Sequence, residues 1–217
     1  MTLKLIIANK AYSSWSLRPW ILMTHFKIPF EEEVIALDQA DTHEKLLAHS
    51  PSGKAPALID GDVTIWESLA IIEYLAEKYP KKPIWPGTRA ARALARALAA
   101  EMHAGFQPLR AHLPTNFRRA VHTRELTREA ARDIARIETA WASTRRRFGR
   151  GRPFLFGPFC AADAMFAPVV NRLHIYAVAV APPTRTYMDA IMALPAWQQW
   201  EKDAFVEDWR IERFENL

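Results

Sequence analysis

The chain has 217 residues, of which 50% are hydrophobic and 24% are charged, a composition typical of a globular protein. Its formal net charge is +5, which favours anionic partners. The arginines of residues 124–136 recur at intervals of four beside acidic residues, as on a solvated, salt-bridged helix face. We therefore expect small anionic ligands and no nucleic acid.

Cysteine content and hydropathy indicate the cellular compartment of the protein. Cys160 is the single cysteine, so an internal disulfide is excluded and a reducing compartment fits. The apolar run at residues 5–8 is too short for a secretory leader or a membrane span. We expect a cytoplasmic protein without membrane contact.

Residues 1–80 alternate between strand and helix patterns. In chain order the predicted elements are a strand at 3–8, a helix at 18–26, a strand at 30–37, a short helix at 43–49, a hairpin whose second strand is 63–66, and an amphipathic helix at 68–78. Ser16 is the predicted N-cap of the first helix and Ser68 that of the last. This order predicts an α/β domain.

A proline-rich stretch at 79–87 separates this half from a helical half. The predicted helical elements are two long helices within 88–148, interrupted near 108–123, a helix from about Ala161, and shorter helices near 184–192 and 195–205. We divide the chain into residues 1–80, a linker at 81–88, and an all-helical domain at 89–217.

The turn between the first strand and the first helix is rich in hydroxyl groups. Ser13, Ser14 and Ser16 surround Trp15 in the stretch "SSWSLRPW". Hydroxyls and free N–H groups at a helix N-terminus could stabilise a thiolate or another small anion. Serines before a helix are also ordinary caps.

Two further stretches contain residues suited to a peptide-like ligand. In "SPSGKAPAL", Lys54 could bind a carboxylate, and a cis bond between Ala55 and Pro56 would expose the backbone of Ala55 for pairing. In "WESLAIIEYL", Glu67 could accept an ammonium group while Ser68 binds the neighbouring carboxylate. An α-amino-acid end requires both contacts.

Together these three stretches resemble the cytosolic glutathione S-transferase family, over essentially the whole chain. The serine-type classes zeta, theta and delta are the most similar in character, in the style of bacterial members, with Trp15 where zeta proteins carry Cys. "FLFGPFCAADAMFAPVV" resembles the family's folding motif, in which Asp163 matches the capping aspartate and Cys160 replaces the usual hydroxyl. The resemblance implies a thioredoxin-like α/β domain followed by an all-α bundle.

The resemblance implies glutathione as co-substrate and a role for each motif residue. Ser14 or Ser13 would donate to the thiolate. The other implied glutathione-binding residues are Trp15 and Ser16 in the same turn, Lys54 at the glycine carboxylate, Ala55 and Pro56 at the cysteinyl backbone, and Glu67 and Ser68 at the γ-glutamyl end.

The resemblance also implies a detoxifying transferase that adds the thiolate to a hydrophobic electrophile, and a homodimer. A zeta-like isomerase of the maleylacetoacetate type and a non-enzymatic binding or regulatory protein are the alternatives. The predicted electrophile pocket is lined by Met102, His103, Phe106 and Arg110. No metal is expected, because the histidines lack metal-ligand spacing.

Overall fold

The computed structural model describes residues 2–215. The first half comprises β1 (Leu3–Ala8), α1 (Ser14–His25), β2 (Phe30–Ile35), α2 (Thr42–His49), β3 (Ala57–Asp60), β4 (Val63–Trp66) and α3 (Ser68–Lys78). The second comprises α4 (Arg89–Ala104), α5 (Gln107–His112), α6 (Arg128–Thr144) with a π-helical turn (Arg145–Gly149), α7 (Ala161–Ile175), α8 (Pro182–Met192), α9 (Pro195–Val206) and α10 (Glu212–Glu215). The expected fold class, an α/β half followed by a helical half, is confirmed.

The four strands form one mixed sheet in the order β2-β1-β3-β4. β1 runs parallel to β2 and antiparallel to β3, so that Leu5 lies opposite both Glu32 and Leu58. Leu5 and Ile7 belong to the main core beneath α1 and α3, whereas Ile6 belongs to a small cluster with α2 on the other face. Helices therefore cover both faces of β1, and the carboxyl end of this strand opens toward the helical half.

Helix α7 is buried along its whole length and joins the two halves. Every residue of α7 except His174 is buried, and the helix packs against both α1 and α4. A predominantly apolar helix requires such enclosure. Its position fixes how the helical half sits on the sheet.

The start of α1 differs from the sequence prediction. The helix begins at Ser14 and not at Arg18, and Ser13 is the N-cap because its Oγ accepts the N–H of Ser16 at 3.3 Å. Ser16 lies within the helix and is fully buried, so the prediction that it is the N-cap is wrong.

A second N-cap and the end of one strand also differ from the prediction. Glu67, and not Ser68, occupies the N-cap position of α3, and β2 ends at Ile35 rather than at residue 37. The predicted interruption near 108–123 contains the short helix α5. The division at residues 1–80, 81–88 and 89–217 stays a prediction.

The segment that follows α9 returns to the start of α1. The carboxylate of Glu207 accepts the backbone N–H groups of Lys10 at 2.6 Å and Ala11 at 2.9 Å. The hydroxyl of Tyr12 donates to Glu215 at 2.5 Å. The chain between these two glutamates thus lies beside the serine turn.

Between residues 2 and 215, no helix is both long and apolar enough to span a bilayer.

The N-terminus of α7 is held by Asp163. Its carboxylate accepts the N–H of Cys160 at 2.9 Å and the N–H of Leu155 at 3.1 Å, and both bonds are buried. The side chain therefore connects the first turn of α7 to the preceding loop.

We predict that Asp163→Ala lowers the free energy of unfolding by about 2–3 kcal/mol, because it leaves two buried N–H groups without an acceptor. Asp208→Ala is the matched control, since Asp208 is exposed and makes no side-chain hydrogen bond within the described residues. Chemical denaturation of the two variants measures the difference. Equal stabilities would contradict the assignment.

Candidate functional site

Hydrogen bonds within the β1–α1 turn occupy two of its three serine hydroxyls. Ser16 Oγ accepts the N–H of Ala8 at 3.0 Å and the hydroxyl of Ser13 at 2.8 Å. The backbone N–H of Ser13 donates to the carbonyl of Asn9 at 2.8 Å. Ser13 and Ser16 are both buried, so their side chains serve to hold the turn.

Ser14 differs from its two neighbours. It is half-buried and lines a cavity, and its hydroxyl has no hydrogen-bond partner among residues 2–215. As the first residue of α1, it lies at the positive end of the helix dipole. Its hydroxyl can therefore donate to an anionic ligand.

The loop before β3 presents a cation and unpaired backbone groups. The Ala55–Pro56 peptide bond is cis, and Gly53 has a φ of +60°. Lys54 is exposed. Across the described part of the chain, neither the ammonium group of Lys54 nor the backbone of Ala55 has a hydrogen-bond partner. Both are available to a ligand.

Glu67 adopts a strained backbone conformation at the start of α3. Its φ is +69°, which costs a residue other than glycine about 1–3 kcal/mol. Its carboxylate is exposed and lies 3.5 Å from Nε2 of His103. Burial, and secondly the charge of Arg18, lower the pKa of His103, which favours its uncharged form. The exposed carboxylate of Glu67 is therefore accessible to a cationic group of a ligand.

Trp15 lies at the centre of the site. The guanidinium carbon of Arg18 is 4.1 Å from the centroid of its indole, and that of Arg110 is 4.7 Å away. The ring of His103 meets it edge-on at 5.1 Å. Trp15 thus connects α1 to residues at the end of α4 and in α5 by cation–π and aromatic contacts.

Two adjoining cavities share Trp15, Lys54 and Ala55. The first, the serine cavity, has a volume of about 430 Å³ and is also lined by Ser13 and Ser14. The second, the glutamate cavity, has a volume of about 360 Å³ and is also lined by Pro56, Glu67, His103 and Gln107. The structure therefore brings the three stretches singled out in the sequence to one place.

Ser16 and Ser68 lie beneath these cavities and do not line them. Ser68 is fully buried, and its Oγ accepts a long hydrogen bond of 3.5 Å from Nη1 of Arg18. Their side chains support the site from below.

The residues predicted to form an electrophile pocket are separated. Met102 is buried and Phe106 half-buried, and neither lines the two cavities. His103 lies in the glutamate cavity and Arg110 in the serine cavity. The four residues do not share one helix face, because α4 ends at Ala104 and Phe106 adopts a left-handed conformation with a φ of +61°.

The serine cavity is cationic. Its charged lining residues are Lys54, Arg110, Arg172 and Arg213, and no carboxylate lines it among the described residues. Arg172 and Arg213 were missed in the sequence. Arg172 could have been noticed as the one arginine of the predominantly apolar α7.

Two arginines near this cavity are buried without a carboxylate partner. Arg18 is 1% exposed; burial lowers its pKa well below the usual value, and the charges of Arg110 and Arg172 lower it further. Burial lowers the pKa of Arg172 to about 9. The Nε atoms of Arg18 and Arg110 have no partner within residues 2–215. Such unneutralised cations favour an anion in the adjacent cavity.

No group of three or more metal-ligating side chains occurs in the described part of the chain.

Two family models match the chain. The model described as "Glutathione S-transferase, N-terminal domain" matches residues 12–78, and the model described as "Glutathione S-transferase, C-terminal domain" matches residues 120–203. The two ranges together cover more than half of the chain and include the serine turn, the cis-proline loop and the start of α3.

Known proteins are similar over most of their length. The chain is 29% identical to glutathione S-transferase Z2 of Arabidopsis thaliana over 205 residues, which is 87% of this chain and 88% of that protein. It is 27% identical to the stringent starvation protein A homolog of Pasteurella multocida over 199 residues, with coverage of 91% and 86%.

One similar solved structure contains a ligand. A glutathione transferase homolog from Burkholderia gl BGR1, crystallised with bound glutathione, has a TM-score of 0.70 and 27% identity, with coverage of 94% of this chain and 97% of that chain.

We predict that Arg18→Met leaves the free energy of unfolding unchanged or raises it by about 1–4 kcal/mol, because it removes an unpaired buried cation and keeps its volume. Arg172→Met is the contrast. Its Nη1 donates to the carbonyls of Arg110 and Leu113, so its loss should destabilise by about 1–3 kcal/mol.

Chemical denaturation at neutral pH measures both variants. A loss of stability in Arg18→Met as large as that in Arg172→Met would show that Arg18 is a structural residue.

Proposed function

The chain belongs to the glutathione S-transferase family, and on this basis we propose that it binds glutathione and activates its thiol as the thiolate for addition to an electrophile. The observation that carries the proposal is the convergence around Trp15 of an unpaired Ser14 hydroxyl, an unpaired Lys54 ammonium and a charged Glu67 carboxylate. These groups match the thiol, a carboxylate and the ammonium of the tripeptide.

The sulfur of glutathione would bind in the serine cavity beside Ser14. A free cysteine thiol has a pKa of about 8.5, and lowering it by two units requires about 2.7 kcal/mol. One charge-assisted hydrogen bond contributes about 1.5–3 kcal/mol, and a helix N-terminus about 0.3–1 kcal/mol. Ser14 and α1 can supply these amounts without a general base, and the buried guanidinium of Arg18 acts in the same direction.

The remainder of the tripeptide would extend toward the glutamate cavity. The backbone of Ala55 would pair with the cysteinyl residue and Lys54 with the glycine carboxylate. Glu67 would accept the γ-glutamyl ammonium group, and the N-terminus of α3 at Ser68 would bind the neighbouring carboxylate. The strained backbone of Glu67 supports a binding role, because such strain concentrates at functional sites.

A glutathione-dependent isomerase of the maleylacetoacetate type is a second candidate. Lys54, Arg110 and Arg172 line the serine cavity without a carboxylate partner among residues 2–215, whereas Arg213 pairs with Asp38 at 3.1 Å. The three cations without such a partner favour an electrophile that itself carries carboxylates. This lining weighs against a wholly hydrophobic electrophile. A binding or regulatory role is the remaining alternative, since one relative bears the name of a stringent starvation protein.

We predict that the protein binds glutathione in isothermal titration calorimetry, conjugates a chloronitroaromatic substrate, and turns over a carboxylated cis-enone faster than its uncharged ester. A preference for the ester would refute the charge argument. Binding without any turnover would favour the regulatory alternative, and absence of binding would overturn the proposed function.

We also predict that Ser14→Ala raises the pKa of the bound glutathione thiol by about 1–2 units, the equivalent of one charge-assisted hydrogen bond. Ser13→Ala is the matched control. It should leave the thiol pKa nearly unchanged while lowering the free energy of unfolding by about 1 kcal/mol, because Ser13 caps α1.

Ultraviolet thiolate absorbance against pH measures the first effect and denaturation the second. A thiol pKa that rises only in Ser13→Ala would assign the donor to Ser13 instead. The homodimer, the cytoplasmic location and the detoxifying role expected from the resemblance stay predictions.

A further inference from the structure

Trp15 packs against cationic groups rather than against the hydrophobic core. Its side chain is half-buried and belongs to neither apolar cluster of the described residues. Its indole instead contacts the guanidinium groups of Arg18 and Arg110 and the imidazole of His103. Packing of the core therefore does not explain a large aromatic side chain at this position.

The buried guanidinium of Arg18 has few other partners. It forms no ion pair with a carboxylate in the described part of the chain, and the charge of Glu67 acts on it only from a distance. Its Nη1 donates one long hydrogen bond of 3.5 Å to Oγ of Ser68, and its Nε has no partner within residues 2–215. Because buried arginines are ordinarily paired, the indole face of Trp15, 4.1 Å from the guanidinium carbon, is the remaining group that stabilises this charge.

Lys10 shows the ordinary arrangement in the same chain. Its ammonium group is also buried, and it lies 4.8 Å from the ring centroid of Trp20. In addition it binds the carboxylates of Glu32 and Asp203, each at 2.7 Å, and these neutralise it. Arg18 has the indole contact without the carboxylates, so its positive charge is not cancelled.

Arg110 brings a second guanidinium to the same ring. Its guanidinium carbon is 4.7 Å from the ring centroid of Trp15, and its side chain lines the serine cavity together with Ser14. Its Nη2 donates to backbone carbonyls at the end of α4, among them that of His103 at 3.2 Å. The charge of Arg110 lowers the pKa of Arg18, because like charges repel. Two cations that repel each other are thus held by one neutral ring.

A neutral ring stabilises a cation without cancelling its charge. The attraction arises from the quadrupole of the ring, whereas a carboxylate would bring a full opposite charge. Trp15 itself lines the serine cavity, so the two guanidinium groups lie next to the space in which a thiolate would bind. Their combined charge therefore remains available to that anion.

We propose that Trp15 is a positioning residue that takes the place of a counter-ion for Arg18 and Arg110, so that both guanidinium groups stay charged and fixed beside the sulfur of glutathione. The inference rests on the proposed function, because it requires the thiolate to bind in the serine cavity. It gives the indole a role apart from direct contact with the tripeptide, since the ring acts on the sulfur through the two arginines.

Ultraviolet titration of bound glutathione measures the effect on the sulfur. Trp15→Leu should raise the thiol pKa by about 0.5–1 unit, because the guanidinium groups lose the ring that holds them beside the thiolate. Trp15→Phe keeps a weaker aromatic face and should raise it by about half as much. In the Arg18→Met background, Trp15→Leu should have less than half of its effect in the wild type, because one of the two charges is already absent.

Trp209→Leu is the matched control. Trp209 is exposed and lines neither the serine nor the glutamate cavity, and its indole makes no aromatic or cation–π contact among the described residues. The thiol pKa should therefore be the same in this variant as in the wild type.

A second measurement does not require glutathione. In chemical denaturation without ligand, Trp15→Leu should increase the equilibrium constant of unfolding about tenfold more in the wild type than in the Arg18→Met background. The physical reason is that only the wild type is left with a buried cation that has lost its aromatic partner. A tryptophan that merely fills space would have the same effect in both backgrounds.

Circular dichroism checks that every variant is folded, and Trp15→Phe carries the test if Trp15→Leu is not. A thiol pKa unchanged in the folded Trp15 variants would overturn the proposal, as would equal effects of Trp15→Leu on stability in the two backgrounds. A wild type that does not bind glutathione would overturn the proposed function and the action on the sulfur, whereas the denaturation experiment would still decide whether Trp15 stabilises Arg18.

Discussion

The functional site depends on the packing of α1 against α7. Because α7 is predominantly apolar and buried along its length, it is stable only when enclosed, and α1 supplies one wall of that enclosure. This packing places Trp15, at the start of α1, in contact with Arg110 and His103 of the helical half. Each cavity of the site is consequently lined by both halves, and neither half could form it alone.

The second constraint is electrostatic. Arg18 is enclosed near two other arginines and has no carboxylate partner within residues 2–215. An isolated buried cation costs free energy, and a bound anion in the serine cavity would offset part of that cost. The arrangement lowers the stability of the folded protein and at the same time provides positive charge for the recognition of an anionic ligand.

Regular periodicity allowed most elements to be predicted. The bounds of α3 and the start of α7 agree with the sequence prediction, because amphipathic spacing and a local aspartate mark them. The start of α1 was mispredicted, because Ser13, Ser14 and Ser16 are all good N-cap residues. Only the bonds of Ser16 to Ala8 and Ser13 distinguish the cap from a residue inside the helix.

The sequence by itself determined the order of the strands and of the longer helices, and the three stretches that supply Ser14, Lys54 and Glu67, since spacing and residue type are local properties. The tertiary structure decided which serine hydroxyl remains unpaired and which cations surround it. Arg110, Arg172 and Arg213 come from three distant segments, and the break after α4 moves His103 and Arg110 into different cavities. The burial of these side chains and the distances between them are set only when those segments pack together, so no local sequence pattern can predict them.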